Sequence, residues 1–341
     1  MKNGLLVYQT NPECNIFNIG DYIQSLAARQ FLNNDDIVYL NRERLDLYDQ
    51  EEVKLILNGW FMHSPDHWPP SKLISPLFVA FHLNSSVKDK LLNEDGIQYF
   101  KEHQPIGCRD QYTVSLLRNE GVDAFFSGCL TLTLGMTYKC KYARSQKIYF
   151  VDAPDLHGMS FRFLFRGLYV ILCRFEKLNK IYKKRYDTFS IVNYLKNLSF
   201  VEKYSRLFSM DVLESAEYIE HEIKDTFSTD EDKFRYAGEL LDKYASAKYI
   251  VTSRIHCALP CLGLETPVLY VYNTEQEEIS NCRMGGLLEL FHLVKINRKD
   301  ISSSLNIGQI TVDTEFENKD TYKKYRDKLV SICKDFMSDA K

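Results

Sequence analysis

The chain has 341 residues, 45% of them hydrophobic and 26% charged, and its formal net charge is -3. That length exceeds what one core usually fills, so two domains are expected, and the mild acidity offers no basic footprint for nucleic acid. Nine cysteines, an odd number without a repeated Cys-x-x-Cys, favour neither a disulfide framework nor a zinc site, so reduced thiols are expected. No run approaches the roughly 20 apolar residues of a membrane span, and the apolar part of MKNGLLVYQT is shorter than a signal peptide needs, which predicts a cytoplasmic protein.

The runs LLVY (5–8), IVYL (37–40), VKLILNG (53–59), LFVAFHL (77–83), PIGCR (105–109) and DAFFSG (123–128) read as strands. Helical spacing appears between several of them, as in Ile23, Leu26, Ala27 and Phe31. Continuous apolar strands alternating with helices imply a parallel sheet covered on both faces, a Rossmann-like domain placed at 1–140. The pattern repeats in KIYFVD (147–152), YIVTS (249–253), VLYVY (268–272) and LVKIN (293–297), with a helix over 229–247 whose stripe is Phe234, Ala237, Leu240, Leu241, Tyr244 and Ala245. A second Rossmann-like domain is placed at 141–318.

Within it, residues 160–206 hold eleven Lys or Arg against three acidic residues and suggest a basic helical insertion at about 158–210. One reading is a solvated helical face; the sharper one is a surface that meets anionic lipid or a polyanionic acceptor. The tail, 319–341, is expected to form a helix with Tyr322, Tyr325, Leu329, Cys333 and Phe336 on one stripe, packing back on the first domain.

Ligands of open α/β sheets bind beyond the carboxyl ends of the strands, so chemistry is expected in the segments leaving those ends. After YIVTS come Ser253, Arg254, Ile255 and His256; Pro260 fits best in the first turn of the next helix, which leaves these four in the connection. Arg254 can fork a carboxylate or phosphate and His256 can move a proton near neutral pH. The alternative is a structural carboxylate for Arg254 and a core carbonyl for His256. In NIFNIGDYIQSLA, Asn18, Gly20 and Asp21 open a helix, either as plain capping or as a seat for a phosphate or acceptor hydroxyl with Asp21 as base. Arg109 follows a strand of the first domain, with a salt bridge to Asp110 as the plainer reading. Asn58 and Gly59 end another strand, and Trp60 and His63 follow, suited to stacking on a sugar or to simple packing. His67, His82 and His103 carry less of this pattern.

Together these segments resemble the polysaccharide pyruvyl transferase family. The likeness is carried by Asn-x-Gly-Asp at 18–21, by Arg109 and Asp110 ahead of a helix and Gly121-Val122, and above all by TSRIHCALPCLGLETPVLYV at 252–271. It implies two facing domains like those of the glycosyltransferases called GT-B, the first on the acceptor side and the second on the donor side. The implied activity moves pyruvate from phosphoenolpyruvate onto a sugar of a surface polysaccharide, such as a capsule or exopolysaccharide, or of its lipid-linked precursor.

Within that reading Arg254 and Arg109 clamp the donor, His256 is the general acid and Asp21 orients or deprotonates the acceptor. Ser253, Asn18, Gly20, Asn58, Trp60 and His63 line the substrates. No cofactor or metal is expected; the partners expected are phosphoenolpyruvate, a sugar or lipid-linked acceptor and, through 160–206, the inner face of the cell membrane. Two other readings remain: a GT-B glycosyltransferase using a nucleotide sugar, because an arginine clamp also suits a pyrophosphate, and a non-catalytic carbohydrate-binding protein.

Overall fold

The structure is a computed structural model and describes residues 1–10, 13–33, 36–138, 144–156, 161–275 and 284–338, with the backbone alone over 161–165. Residues 158–160 of the expected insertion and 339–341 of the expected tail helix lie outside the described residues. The chain begins with β1 (Lys2–Val7), β2 (Ile16–Asn18), α1 (Ile19–Arg29), β3 (Ile37–Asn41), β4 (Val53–Phe61) and β5 (Ile74–Leu83). Next come α2 (Lys88–Leu91), α3 (Glu94–Glu102), β6 (Ile106–Cys108), α4 (Gln111–Asn119) and β7 (Ala124–Phe126). They are followed by β8 (Ile148–Val151), α5 (Phe161–Arg185), α6 (Ile191–Tyr204), α7 (Met210–Ser215), β9 (Glu217–Ile219), β10 (Glu222–Lys224) and α8 (Asp230–Ser246). The last elements are β11 (Tyr249–Thr252), α9 (Ile255–Gly263), β12 (Val268–Asn273), β13 (His292–Ile296), β14 (Ile301–Ser303) and α10 (Lys323–Ser338).

Two six-stranded sheets organise these elements. The first runs β3-β1-β4-β5-β6-β7 with every pair parallel. The second runs β9-β8-β11-β12-β13-β14, parallel except for the β13–β14 pair. Both therefore follow one winding, in which the chain reverses its direction of travel across the sheet between β1 and β4 and again between β8 and β11. Such reversals open a crevice at the carboxyl ends of the two strands.

Alternate residues of the second sheet serve two cores, as the two-residue period of a strand requires. Tyr149 and Val151, Ile250, and Val268 and Tyr270 join a core shared with the first sheet. Phe150, Val251 and Leu269 face a second core closed by Leu178 and Ile181 of α5, Phe200 and Tyr204 of α6 and Leu213 of α7.

Several contacts draw the sheets together. β2 pairs antiparallel with β10, matching Phe17 with Ile223. The Tyr22 hydroxyl donates to Asp230 at 2.5 Å, and Arg29 meets Glu231 at 3.1 Å, joining α1 to α8. From α10, Leu329 and Cys333 enter the shared core and the Phe336 carbonyl accepts from Lys54 at 2.7 Å.

The basic stretch forms the α5–α6 hairpin, closed by the Asn197 amide donating to the Leu178 carbonyl at 3.1 Å. Much of its charge is neutralised in place: Lys177 pairs with Asp211, Lys180 with Glu214, Arg185 with Asp155 and Arg206 with Glu202. Apolar side chains remain on the outside instead, with Leu172 and Ile191 each 72% exposed and Phe189 74% exposed.

The start of α9 differs from the sequence expectation. The helix already begins at Ile255 with Arg254 as its N-cap, and Pro260 lies inside it. A proline ring clashes with the carbonyl four residues back and leaves it without an N–H, and that residue is His256. His256 accordingly departs from helical geometry, at φ -83° and ψ 16°. Pro260 bends the first turn at the histidine instead of delaying the helix.

Candidate functional site

Asn18 ends β2 in an extended conformation and caps α1, its side-chain oxygen accepting from the Gly20 N–H at 2.9 Å. The capped turn lies directly against His256. A Cβ on Gly20 would stand 3.0 Å from the His256 Cβ and 3.4 Å from its Nδ1, so glycine permits the approach. Across the imidazole, Arg109 leaves the end of β6 and its Nη1 lies 3.3 Å from His256 Nε2. A guanidinium can only donate, so Nε2 accepts in this arrangement. Arg109 is 2% exposed, and its backbone N–H is held by the Phe81 carbonyl of β5 at 2.8 Å.

Asp21 lies in the first turn of α1, with its side chain 21% exposed. Gln24 donates to one carboxylate oxygen at 3.0 Å and the Arg42 guanidinium lies 3.8 Å from the other. Burial raises its pKa, an effect that Arg42, Arg109 and His63 reduce without cancelling. A carboxylate held in this way is suited to taking a proton. Nearby, the Asn58 amide donates to the Gln24 backbone carbonyl at 3.0 Å. Gly59 sits at φ +108°, where an added Cβ would meet the Gln24 side-chain oxygen at 2.9 Å. The Asn58 and Gln24 side-chain oxygens are buried without a hydrogen-bond partner among the described residues.

Trp60 is partly buried, with the Arg42 guanidinium 5.2 Å from its ring and the His63 ring 4.5 Å away on the exposed side. Glu43 braces this corner, accepting from Arg42 Nε and from the backbone N–H groups of His63 and Ser64, each at 2.8 Å.

On the second sheet Arg254 turns away from the Arg109–His256 pair. Its Nε donates to Asp152 at 2.6 Å and its Nη2 to Glu222 at 2.9 Å. Burial opposes its charge, but the two carboxylates outweigh that effect and its pKa is raised. Ser253 donates to the Asp152 backbone carbonyl at 2.6 Å, binding the ends of β11 and β8 across the reversal in that sheet. Arg254 and His256 therefore flank one turn but point to different partners, the first extended at the N-cap and the second at the bend in the first turn.

The structure thus brings Asn18, Gly20, Asp21, Arg109 and His256 into one neighbourhood, with Asn58, Trp60 and His63 on its first-sheet side. Asp110 is elsewhere engaged, capping α4 at the Thr113 N–H and bonding His82 at 2.6 Å. His67 pairs with Asp46 at 3.0 Å and His103 with the Tyr99 carbonyl at 2.9 Å. Arg42, Glu43 and Asp152 were not singled out from the sequence. All three follow strand ends, β3 for the first two and β8 for the third, so the carboxyl-edge rule applied to every strand would have found them.

The arrangement is that of an α/β protein with arginines, a histidine and a carboxylate gathered at the carboxyl ends of two sheets around a helix N-terminus. The profile of the polysaccharide pyruvyl transferase family matches residues 18–275, and the chain belongs to that family, which makes it a transferase. Searches of curated proteins and of solved structures return no match.

Proposed function

We propose that the protein transfers the pyruvate unit of phosphoenolpyruvate onto two hydroxyls of one sugar, in a surface polysaccharide or its lipid-linked precursor, closing a ketal. The observation that supports this most is the meeting of Arg109, His256 and the capped start of α1, which joins an anion-binding group to a proton-moving one. Family membership supports the reaction class. The halves 1–140 and 141–318 act as facing GT-B-like domains for acceptor and donor, with 319–341 returning to the first.

Arg109 holds one anionic group of the donor, its carboxylate or phosphate, and Arg254 holds the other once it exchanges Asp152 and Glu222 for the donor. As the substrate anion draws Arg109 toward itself, His256 Nε2 is released to carry a proton and deliver it to C3. C2 then has oxocarbenium character and is attacked by a sugar hydroxyl, whose proton passes to Asp21. The C2–O bond to phosphate breaks, the second hydroxyl adds to C2, and its proton returns to the imidazole. The proton held by Asp21 leaves with the phosphate. The reaction is proposed without a metal or a further cofactor. Ser253, Asn18 and Gly20 shape the turns that carry these groups, while Asn58, Trp60 and His63 face the acceptor.

The protein works in the cytoplasm at the inner face of the membrane, touching it through the apolar outside of the α5–α6 hairpin. Among the described residues no helix is long and apolar enough to cross a membrane. Eight of the fourteen large apolar side chains exposed among the described residues fall between Leu168 and Leu195, a concentration suited to an interface. The donor is tested by thermal shift with phosphoenolpyruvate and with nucleotide sugars. A rise with phosphoenolpyruvate alone is expected. A rise only with a nucleotide sugar would overturn the reading in favour of a glycosyltransferase, and a rise with neither would favour a non-catalytic sugar binder.

A further inference from the structure

A cleft of about 700 Å³ opens at the carboxyl end of β8 and along β9, between the α5–α6 turn and α8. Its aromatic wall is built around Arg185, whose guanidinium lies 3.9 Å from the Phe200 ring centre and within 5.7 Å of those of Tyr186 and Tyr218. Arg185 is itself occupied, its Nη2 donating to both carboxylate oxygens of Asp155 at 2.8 and 3.0 Å and its Nη1 to the Asn197 side-chain oxygen at 3.2 Å. Lys184 at the same wall donates to the backbone carbonyls of Glu214, Ser215 and Ala216. Arg185 and Lys184 are thus engaged by the protein, the exposed Lys196 and Lys243 complete the cationic lining, and among the described residues no open guanidinium fork faces the space.

The carboxylates of Asp152, Asp187 and Glu220 also line the cleft. Burial first, and Asp152 next, raise the Glu220 pKa and favour a form that donates as well as accepts. Carboxylates and aromatic rings lining one cleft suit a ligand that is polar around its edge and C–H-lined on its faces, as a sugar is. A phosphate or uronate would meet the Asp187 and Glu220 carboxylates and find only the point charges of Lys196 and Lys243, without an open guanidinium to fork it. The volume lies within the ordinary range for ligand sites, about 300–1,000 Å³.

The cleft also adjoins the reaction centre proposed above. Asp152, part of its wall, is the carboxylate that holds Arg254 Nε at 2.6 Å, and Glu222, two residues beyond Glu220, holds Nη2. A chain lying in the cleft would end beside Arg254.

We infer that this cleft is the subsite for a short, uncharged stretch of the acceptor's sugar chain, an inference that rests on the pyruvyl transfer reading. The probes are di- to tetrasaccharides from partial hydrolysis of the surface polysaccharide of the producing cell, split by anion exchange into neutral and acidic pools. Binding is measured by saturation-transfer NMR with the wild-type protein, with Glu220→Trp, which puts an indole into the cleft, and with the conservative Glu220→Gln. Neutral fragments bind the wild type, and Glu220→Trp binds them about ten-fold more weakly or worse, while keeping its melting temperature and its stabilisation by phosphoenolpyruvate. Glu220→Gln lies between the two. Equal binding by Glu220→Trp, no binding of neutral fragments by the wild type, or preference for the acidic pool would overturn the inference. Neutral-fragment binding without pyruvyl transfer would sink the reaction and leave the subsite. Transfer with an unchanged acceptor KM in Glu220→Trp would sink the subsite and leave the reaction.

Discussion

Gly20 is where α1 meets His256, and alanine at this position probes that contact with a single methyl group. The added Cβ would lie 3.0 Å from both the Asn18 side-chain oxygen and the His256 Cβ, so the neighbours must yield by a few tenths of an ångström. His256 is held across its ring at 3.3 Å from Arg109, and a shift of that size alters this contact. Misplacement by 1 Å costs on the order of 10²-fold in rate, so kcat should fall about ten-fold. Stability should hold, because alanine in a helix gains about 0.5–1 kcal/mol over glycine and offsets the crowding. Gly238→Ala in α8 is the matched control, since its Cβ meets nothing closer than the Tyr138 hydroxyl at 3.7 Å. It should gain about 0.5–1 kcal/mol of stability and keep full turnover. Steady-state kinetics and urea unfolding of both variants decide the matter. Wild-type kcat in Gly20→Ala, or an equal loss in Gly238→Ala, would refute the reasoning.

Asp21→Asn should lower turnover yet stabilise the fold in a pH-dependent way. The folded-state pKa of Asp21 is raised, so its contribution favours folding below the ordinary carboxylate pKa and is lost as pH rises through the folded value. The variant should therefore gain on the wild type at pH 7 and show little of that gain at pH 4, as read by urea unfolding at both; a gap independent of pH would contradict the assignment. Gly263→Ala should lose about 1–3 kcal/mol or more on unfolding, because its Cβ would stand 2.5 Å from the Leu132 carbonyl oxygen. Vesicles of mixed neutral and anionic lipid should carry the wild-type protein upward in a flotation gradient and leave Leu172→Glu/Ile191→Glu behind. A wild-type protein that stays at the bottom would argue against the membrane contact.

Most of the sheet framework was legible because long apolar runs dictate parallel strands. The runs at 53–59, 77–83 and 268–272, for example, correspond to β4, β5 and β12. Four of the six three-residue strands, β2, β9, β10 and β14, were not, since Ile16-Phe-Asn or Glu222-Ile-Lys is too short to show a period. Yet the β2–β10 pair carries Gly20 toward His256, so a small unread element positions the candidate site. Individual site residues could be read from strand ends, but their partners could not. Arg254 meets Asp152 and Glu222 from 102 and 32 residues away, and no local pattern records that. The charge excess at 160–206 likewise gave no sign that Asp211 and Glu214 of α7 would neutralise Lys177 and Lys180.

The most direct measurement is proton and carbon NMR of the product formed from phosphoenolpyruvate and acceptor in deuterium oxide, with phosphate counted alongside. Proton delivery to C3 by a solvent-exchanged His256 should give a ketal whose methyl carries one deuterium, one phosphate per ketal, and no product from His256→Ala. A methyl without solvent deuterium, phosphate release without a ketal, or undiminished product from His256→Ala would contradict the proposed reaction.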